Sequence, residues 1–140
     1  MAHANAVTLQ SNSDGIDCSA LVALFKLMNL GGREGDKIKR AFEKSDVVCF
    51  ARDASKLVGA ARALSDFEYH ATIYDVAVHP DYQRLSVSSR MMKELLSSLP
   101  VWRILLVADV NVRPFYERLG FEPFGDVLAL FDRTKLYDTR

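Results

Sequence analysis

The chain has 140 residues, and its length predicts one domain, residues 1–140, with a single apolar core. Hydrophobic residues make up 49% and charged residues 26% of the chain, as in ordinary globular proteins. The formal net charge is zero, which argues against a general basic face for nucleic acid and against a polybasic patch for a membrane surface.

The N-terminus and the two cysteines indicate in which cellular compartment the protein is expected. Residues 1–5 have neither the basic start nor the apolar core of a signal peptide, and no apolar run reaches the length of a membrane span. Cys18 and Cys49 are far apart and follow no metal-ligand spacing. We therefore expect reduced, packed thiols in a cytoplasmic protein without a metal site.

Apolar periodicity predicts a mixed α/β sheet with helices on its faces, in the order β-α-α-β-β-β-α-β-α-β-β. The predicted elements are strand 6–10, helix 18–30, helix 36–44, strands 46–52, 57–64 and 71–78, helix 87–99, strand 102–108, helix 111–119, and a last hairpin of 121–124 and 127–131. Gly31-Gly32 should close the first helix. Strand 102–108 is nearly all apolar, which predicts burial on both faces.

The most informative stretch is residues 71–90. Its first half, to Val78, is rich in β-branched and aromatic residues, which favour a strand. The strand should stop at His79-Pro80, because proline has no N–H for a sheet. A polar loop and an amphipathic helix from Val87 follow. This arrangement brings free backbone N–H groups and a positive helix end to one point, which suits a phosphate.

This stretch resembles the acyl-CoA-binding core of the GNAT acetyltransferase superfamily, in which a strand ending V-x-V-x-P-x-[YF]-[QR] runs into a [QR]-x-x-G-x-[GA] loop. The loop here reads Gln83-Arg84-Leu85-Ser86-Val87-Ser88, with serine at both small-residue positions. Residues 115–121, FYERLGF, resemble the family's F-Y-x-x-x-G-F segment.

Three further segments, DKIKRAFEKSDVV, LVGAARALSD and ATIYDVAVHPDYQ, resemble the plant and cyanobacterial serotonin N-acetyltransferase-like branch and its bacterial relatives. The resemblance covers about residues 6–131. It implies the GNAT fold, a mixed sheet that is splayed at its centre.

The resemblance also implies acetyl-CoA as cosubstrate and no metal. The backbone of Val76, Ala77 and Val78 would pair with the pantetheine arm as an added strand, the alternative being ordinary pairing with strand 102–108. The residues expected to hold the pyrophosphate are Gln83, Arg84, Leu85, Ser86, Val87, Ser88 and Ser89. Glycine at position 86 would take positive φ, and the alternative for this loop is a serine-rich helix cap without a ligand. Asn111 would bind the pantetheine or cap its helix.

For catalysis, the resemblance implies Tyr116 as general acid to the leaving thiolate, because a phenol with a pKa of about 10 stays protonated at neutral pH. The alternative is a packed aromatic ring. Asp75 lies in an apolar strand, so it is either a base acting through water or the partner of Arg62 or Arg103 in a salt bridge. His79 is a second candidate base.

The function predicted from these residues is transfer of an acetyl group from acetyl-CoA to the primary amine of a small molecule, with an arylalkylamine as the candidate acceptor. The two serines leave a CoA-binding or regulatory domain with little turnover as one alternative, and a protein or lysine acetyltransferase is another. Phe67, Tyr69 and Trp102 either line an aromatic amine pocket or belong to the core. A homodimer is the candidate assembly.

Overall fold

A computed structural model of the protein describes residues 6–30 and 35–135. The chain divides into two compact units, Met1–Leu106 and Val107–Arg140. The first unit contains strands β1 (Val7–Gln10), β2 (Val47–Asp53), β3 (Lys56–Ser65), β4 (His70–Val78) and β5 (Arg103–Leu106), and helices α1 (Cys18–Leu27), α2 (Gly35–Glu43) and α3 (Val87–Ser97). The second unit contains helix α4 (Arg113–Arg118). In the described ranges no helix is long and apolar enough to cross a membrane.

The five strands form one open sheet in the order β1-β2-β3-β4-β5. Neighbours from β1 to β4 pair antiparallel, and β5 pairs with β4 in parallel. A parallel pair needs a crossover connection, which α3 supplies between β4 and β5. The predicted mixed sheet with helices is confirmed.

Side chains alternate between the two faces of the sheet, and each face has its own helices. Phe50 and Ala60 belong to a core cluster with residues of α1 and α2, including Phe25 and Phe42. The opposite face of the sheet carries Gly59, and Met91 of α3 lies over it. The helices therefore cover opposite faces, and the sheet between them is largely apolar.

Helix α1 ends before the predicted glycine pair. Its N-cap Asp17 accepts a hydrogen bond from the N–H of Ser19. At its other end Asn29 adopts φ +55°, and the N–H of Leu30 donates to the carbonyl of Phe25. This is the Schellman pattern, with asparagine in the left-handed position that glycine commonly takes. Gly31-Gly32 lies outside the described residues.

The end of the chain differs from the prediction. Strand β5 is shorter than expected and half-buried, not buried on both faces, and in the described residues it is an edge strand. The described residues also contain no hairpin at 121–131, and Leu128 and Leu130 are 96% and 100% exposed. Two short strands alone are marginal in water, since they bury little apolar area.

Both cysteines are free thiols, as predicted. Cys18 is half-buried, and its thiol lies 3.4 Å from the carbonyl oxygen of Gly35. Burial, reinforced by the charge of Glu94, raises the pKa of the Cys49 thiol to about 12. Cys49 is therefore an unreactive core residue at neutral pH.

Gly59 sets the distance between α3 and the sheet. A Cβ at this position would lie 2.5 Å from Met91 Sδ and 3.1 Å from Ala51 Cβ. We expect Gly59→Ala to lower the free energy of unfolding by about 1–3 kcal/mol through overpacking, as measured by urea denaturation. In a Met91→Ala background the same substitution should cost much less, and an equal cost in both backgrounds would contradict this account.

Candidate functional site

Strand β4 parts from β5 halfway along its length. It pairs with β5 only from His70 to Ile73, whereas it pairs with β3 up to Val78. The N–H of His79 donates to the carbonyl of Val58, so the N–H and C=O of Val78 point away from β3. The predicted splay is therefore present, and its open side is lined by the backbone of β4.

A β-bulge accompanies the splay. Arg62 of β3 lies opposite Tyr74 and Ala60 lies opposite Ala77, so two residues of β4 face one of β3. The first of these two, Asp75, has φ +57°, a left-handed value that aspartate tolerates better than most side chains. The bulge bends β4 at the place where β5 leaves it.

Asp75 forms an ion pair with Arg62. The Nε of Arg62 donates to Asp75 Oδ2 at 2.6 Å, and the two side chains are 16% and 2% exposed. The guanidinium also lies over the rings of Tyr74 and Phe42. The salt bridge named as the alternative for Asp75 is thus formed. A role of Asp75 as a base stays a prediction. It would require an amine or a water molecule to reach a carboxylate that is almost fully covered.

The loop after β4 begins with the 3₁₀ turn Pro80–Tyr82. Tyr82 is buried, and its hydroxyl donates to the carboxylate of Asp53 at the end of β2. This hydrogen bond, with burial and acidic neighbours, raises the pKa of Tyr82. Lys56 lies 5.6 Å from the ring centroid, and the ring of His79 meets it edge-on. The turn between β2 and β3 therefore anchors the loop, a contact that the sequence pattern did not reveal.

His79 takes a structural position at the strand end. Its Nδ1 accepts a hydrogen bond from the N–H of Asp81 at 3.1 Å and so caps the 3₁₀ turn. This contact engages one ring nitrogen in a local turn. A role as base stays a prediction.

At the start of α3, three backbone donors have no hydrogen-bond partner among the residues that the structure describes. The first helical hydrogen bond runs from the N–H of Arg90 to the carbonyl of Ser86. The amides of Val87, Ser88 and Ser89 precede it and have no carbonyl one turn earlier to accept from them. Val87 is fully buried, so it can contribute to a ligand only through its backbone. Arg84 is exposed beside these amides in sequence and can add positive charge.

Ser86 adopts the conformation that glycine would take in this loop. It is the residue before α3, with φ +63° and ψ +12°, and its side chain makes no capping hydrogen bond. The alternative that Ser86 caps the helix through its hydroxyl is therefore wrong, because an N-cap side chain reaches the helix amides from an extended backbone. The positive φ expected of a glycine is retained, with the strain that a Cβ adds.

Gln83 makes two contacts through its side-chain amide. Its Nε2 donates to the carbonyl of Val78 at 3.0 Å and lies 3.5 Å from the sulfur of Met28, the C-cap of α1. Leu85 is half-buried between Gln83 and the start of the helix. The carboxamide thus reaches back to the open side of β4.

The second unit contains Tyr116 and Asn111. Tyr116 is half-buried, its ring meets those of Phe115 and Phe121 edge-on, and burial raises the pKa of its phenol. Asn111 is exposed, and its N–H donates to the side chain of Asp109. It does not cap α4, whose N-cap is Val112. The proposed roles of Tyr116 and Asn111 toward a ligand stay predictions.

The three aromatic residues considered for an amine pocket lie at the surface. Phe67, Tyr69 and Trp102 are 44%, 64% and 74% exposed. The ring of His70 lies between those of Tyr69 and Trp102, 6.2 Å from each. The core alternative is wrong for them. They lie at the start of β4, whereas the loop with the free amides follows its end.

Comparison with known proteins identifies the family. The model of the acetyltransferase (GNAT) domain matches residues 44–123, more than half of the chain. The chain belongs to the GNAT acetyltransferase family. The matched range contains β4, the loop, α3 and α4, so both the splayed strand and Tyr116 fall within the GNAT domain.

Individual relatives agree with this assignment. The chain is 33% identical to serotonin N-acetyltransferase 2, chloroplastic, of Oryza sativa subsp. japonica over 89% of this chain and 66% of that protein. It is 31% identical to histone acetyltransferase TAP1 of Glycine max over 80% of this chain and 54% of that protein. The chain thus spans about half to two thirds of the length of these curated relatives.

A solved structure supports the fold. A protein of Deinococcus radiodurans R1, proposed to be an acetyltransferase, superposes with a TM-score of 0.80 at 25% identity, covering 96% of this chain and 93% of that one. Among the described residues, no group of three or more His, Cys, Asp or Glu side chains is arranged to hold a metal ion.

Ser86 provides a test of the loop backbone. We expect Ser86→Gly to raise the free energy of unfolding by up to about 1 kcal/mol, because glycine adopts positive φ without strain. The greater freedom of glycine in the unfolded chain opposes this gain and limits it. Ser88→Gly is the matched control. Since Ser88 lies in the first turn of α3, that change should lower stability by about 0.3–0.5 kcal/mol. Chemical denaturation measures the change in the free energy of unfolding for both variants. A loss of stability in Ser86→Gly would contradict the presence of backbone strain at Ser86.

Proposed function

We propose that this GNAT domain transfers an acetyl group from acetyl-CoA to the primary amine of a small molecule. The observation that carries the proposal is that two features occur together. Strand β4 has an open edge, and the start of α3, which follows it in the chain, has free backbone amides. The first suits a peptide-like arm, which adds to a sheet as a strand. The second suits a phosphate group.

The chemistry of CoA fits these two features in the order in which they occur. Its pyrophosphate would lie at Ser86–Ser89, and its pantetheine arm would run along Val76–Val78 toward the bulge at Asp75. The backbone N–H and C=O of Val78 already point to that side. The thioester would then lie in the splay, beyond the point where β5 stops pairing with β4.

Tyr116 is the proposed general acid. The amine nitrogen attacks the thioester carbon, the C–S bond breaks, and the thiolate takes the phenolic proton. The amine's surplus proton leaves to a base, with Asp75 and His79 as the candidates named by the sequence. Burial raises the pKa of Tyr116 above its ordinary value, so the phenol stays protonated through neutral and mildly alkaline pH.

The amine that accepts the acetyl group belongs either to a small molecule or to a protein. The rice relative is named for serotonin, a small arylalkylamine, whereas the soybean relative is named for histones. We favour a small amine, and a protein or lysine acceptor is the second candidate. A CoA-binding domain with little turnover remains the alternative raised by the two serines. A cytoplasmic location and a homodimer stay predictions from the sequence.

Cofactor binding can be tested first. We expect acetyl-CoA at a hundredfold excess over Kd to stabilise the fold by about 2.7 kcal/mol, seen as a rise in Tm. Ser88→Asp should keep the fold, because a carboxylate is favourable in the first turn of a helix, but should weaken CoA binding by repelling the pyrophosphate.

The control for added charge is Ser13→Asp, since Ser13 is exposed in the turn before α1. That variant should bind CoA like the wild type. No thermal shift and no heat of binding with acetyl-CoA or CoA would refute both the enzyme and the CoA-binding alternative.

Removing the phenolic oxygen tests the general acid. We expect Tyr116→Phe to lower kcat by about 10²–10⁴-fold with little change in KM for acetyl-CoA, because the ring packing is kept and only the proton donor is lost. Steady-state kinetics on the best amine from a screen measures this, with circular dichroism as a check of the fold. Unchanged kcat from mildly acidic to mildly alkaline pH, where chemistry limits turnover, would assign the acid role elsewhere.

A further inference from the structure

The side chain of Gln83 occupies the open edge of β4. The Val78 carbonyl points to the side that β5 has left, and the Nε2 of Gln83 donates to it at 3.0 Å. A primary carboxamide carries two N–H groups, and the same nitrogen lies 3.5 Å from the sulfur of Met28. Gln83 therefore links the strand edge to the end of α1.

A strand edge requires partners for its backbone groups. Strand β3 supplies hydrogen-bond partners for the backbone groups of alternate residues of β4, but the N–H and C=O of Val78 point to the other side. The carboxamide N–H of glutamine is chemically equivalent to a peptide N–H. In its contact with Val78, Gln83 thus does what one residue of an added strand would do.

We propose that Gln83 is a placeholder for the pantetheine arm: in the free protein its carboxamide holds the Val78 carbonyl that an amide N–H of the arm takes when CoA binds. The inference rests on the proposed function. It also changes the role expected of Gln83, because the side chain competes with the ligand and does not bind it. The amides of Val87, Ser88 and Ser89 at the start of α3, by contrast, are not used by Gln83 and can hold the pyrophosphate.

Displacement of Gln83 has a second effect. When the arm takes the Val78 carbonyl, the carboxamide swings away and leaves the sulfur of Met28 as well. Met28 is the C-cap of α1, so arrival of the arm releases a contact at the end of that helix. Only a ligand with the amide-bearing arm does this. The nucleotide half of CoA alone lacks the amide-bearing arm that would run along β4 to the Val78 carbonyl.

The test separates the two halves of the ligand. Gln83→Met keeps the length of the side chain and removes the carboxamide. We expect calorimetry to show about 2- to 10-fold tighter binding of CoA, the value of one net hydrogen bond, because nothing has to be displaced. Binding of 3′-phospho-ADP, which lacks the arm, should keep its wild-type Kd and also shows that the variant is folded.

Gln10→Met is the matched control. The carboxamide of Gln10 donates to the carbonyls of Asn12 and Asp14, at 2.8 and 2.7 Å, in the turn after β1. Its removal deletes the same chemical group away from the splay. The CoA Kd of this variant should equal that of the wild type.

The other outcomes are distinct. Weaker or unchanged CoA binding by Gln83→Met overturns the placeholder. An equal change in Kd for CoA and 3′-phospho-ADP assigns Gln83 to the phosphates and also overturns it. A wild-type protein that binds neither ligand overturns the proposed function and the inference with it, whereas normal binding that is unaffected by Gln83→Met overturns the inference alone.

Discussion

The site depends on one difference in strand pairing: β4 stays paired with β3 to its end, but with β5 only from His70 to Ile73. Pairing with β3 resumes after the bulge and fixes where the last residue of β4 lies. Because β5 ends its pairing early, backbone groups on the other edge have no neighbouring strand among the described residues. An edge of this kind is normally a liability for aggregation, and here it is short and shielded by a glutamine side chain.

Two strained residues mark this region. Asp75 and Ser86 both have positive φ although neither is glycine, and they lie at either end of the strand, loop and helix start that form the site. Such conformations persist only where the surrounding structure fixes them. At Asp75 the fixing contact is the covered ion pair with Arg62, and at Ser86 it is the start of α3. The ion pair thus has a clear structural role, which a catalytic role of Asp75 would have to accommodate.

The sequence predicted the elements of the first unit well, since β-branched alternation and helical spacing reflect which face of each element is buried. It also predicted the splay and the loop through the family resemblance. It could not predict the bulge, because the pattern of β4 reads as a regular strand through Asp75. Nor could it reveal the contact of Tyr82 with Asp53, since such tertiary hydrogen bonds leave no local signal. The last hairpin was predicted from two apolar segments on either side of Gly125, but Leu128 and Leu130 belong to no sheet in the described residues.

The anchor of the loop has a consequence for how a ligand would bind. Tyr82 is buried and held by Asp53, and amides within the loop bond to nearby groups of the same loop, so the loop is held without using the amides of Val87, Ser88 and Ser89. Those amides can therefore be both ordered and unoccupied. The entropy of ordering the loop is lost when the chain folds, so binding would not have to supply it again. If these amides bind a phosphate as proposed, the loop backbone should rearrange little when the ligand docks.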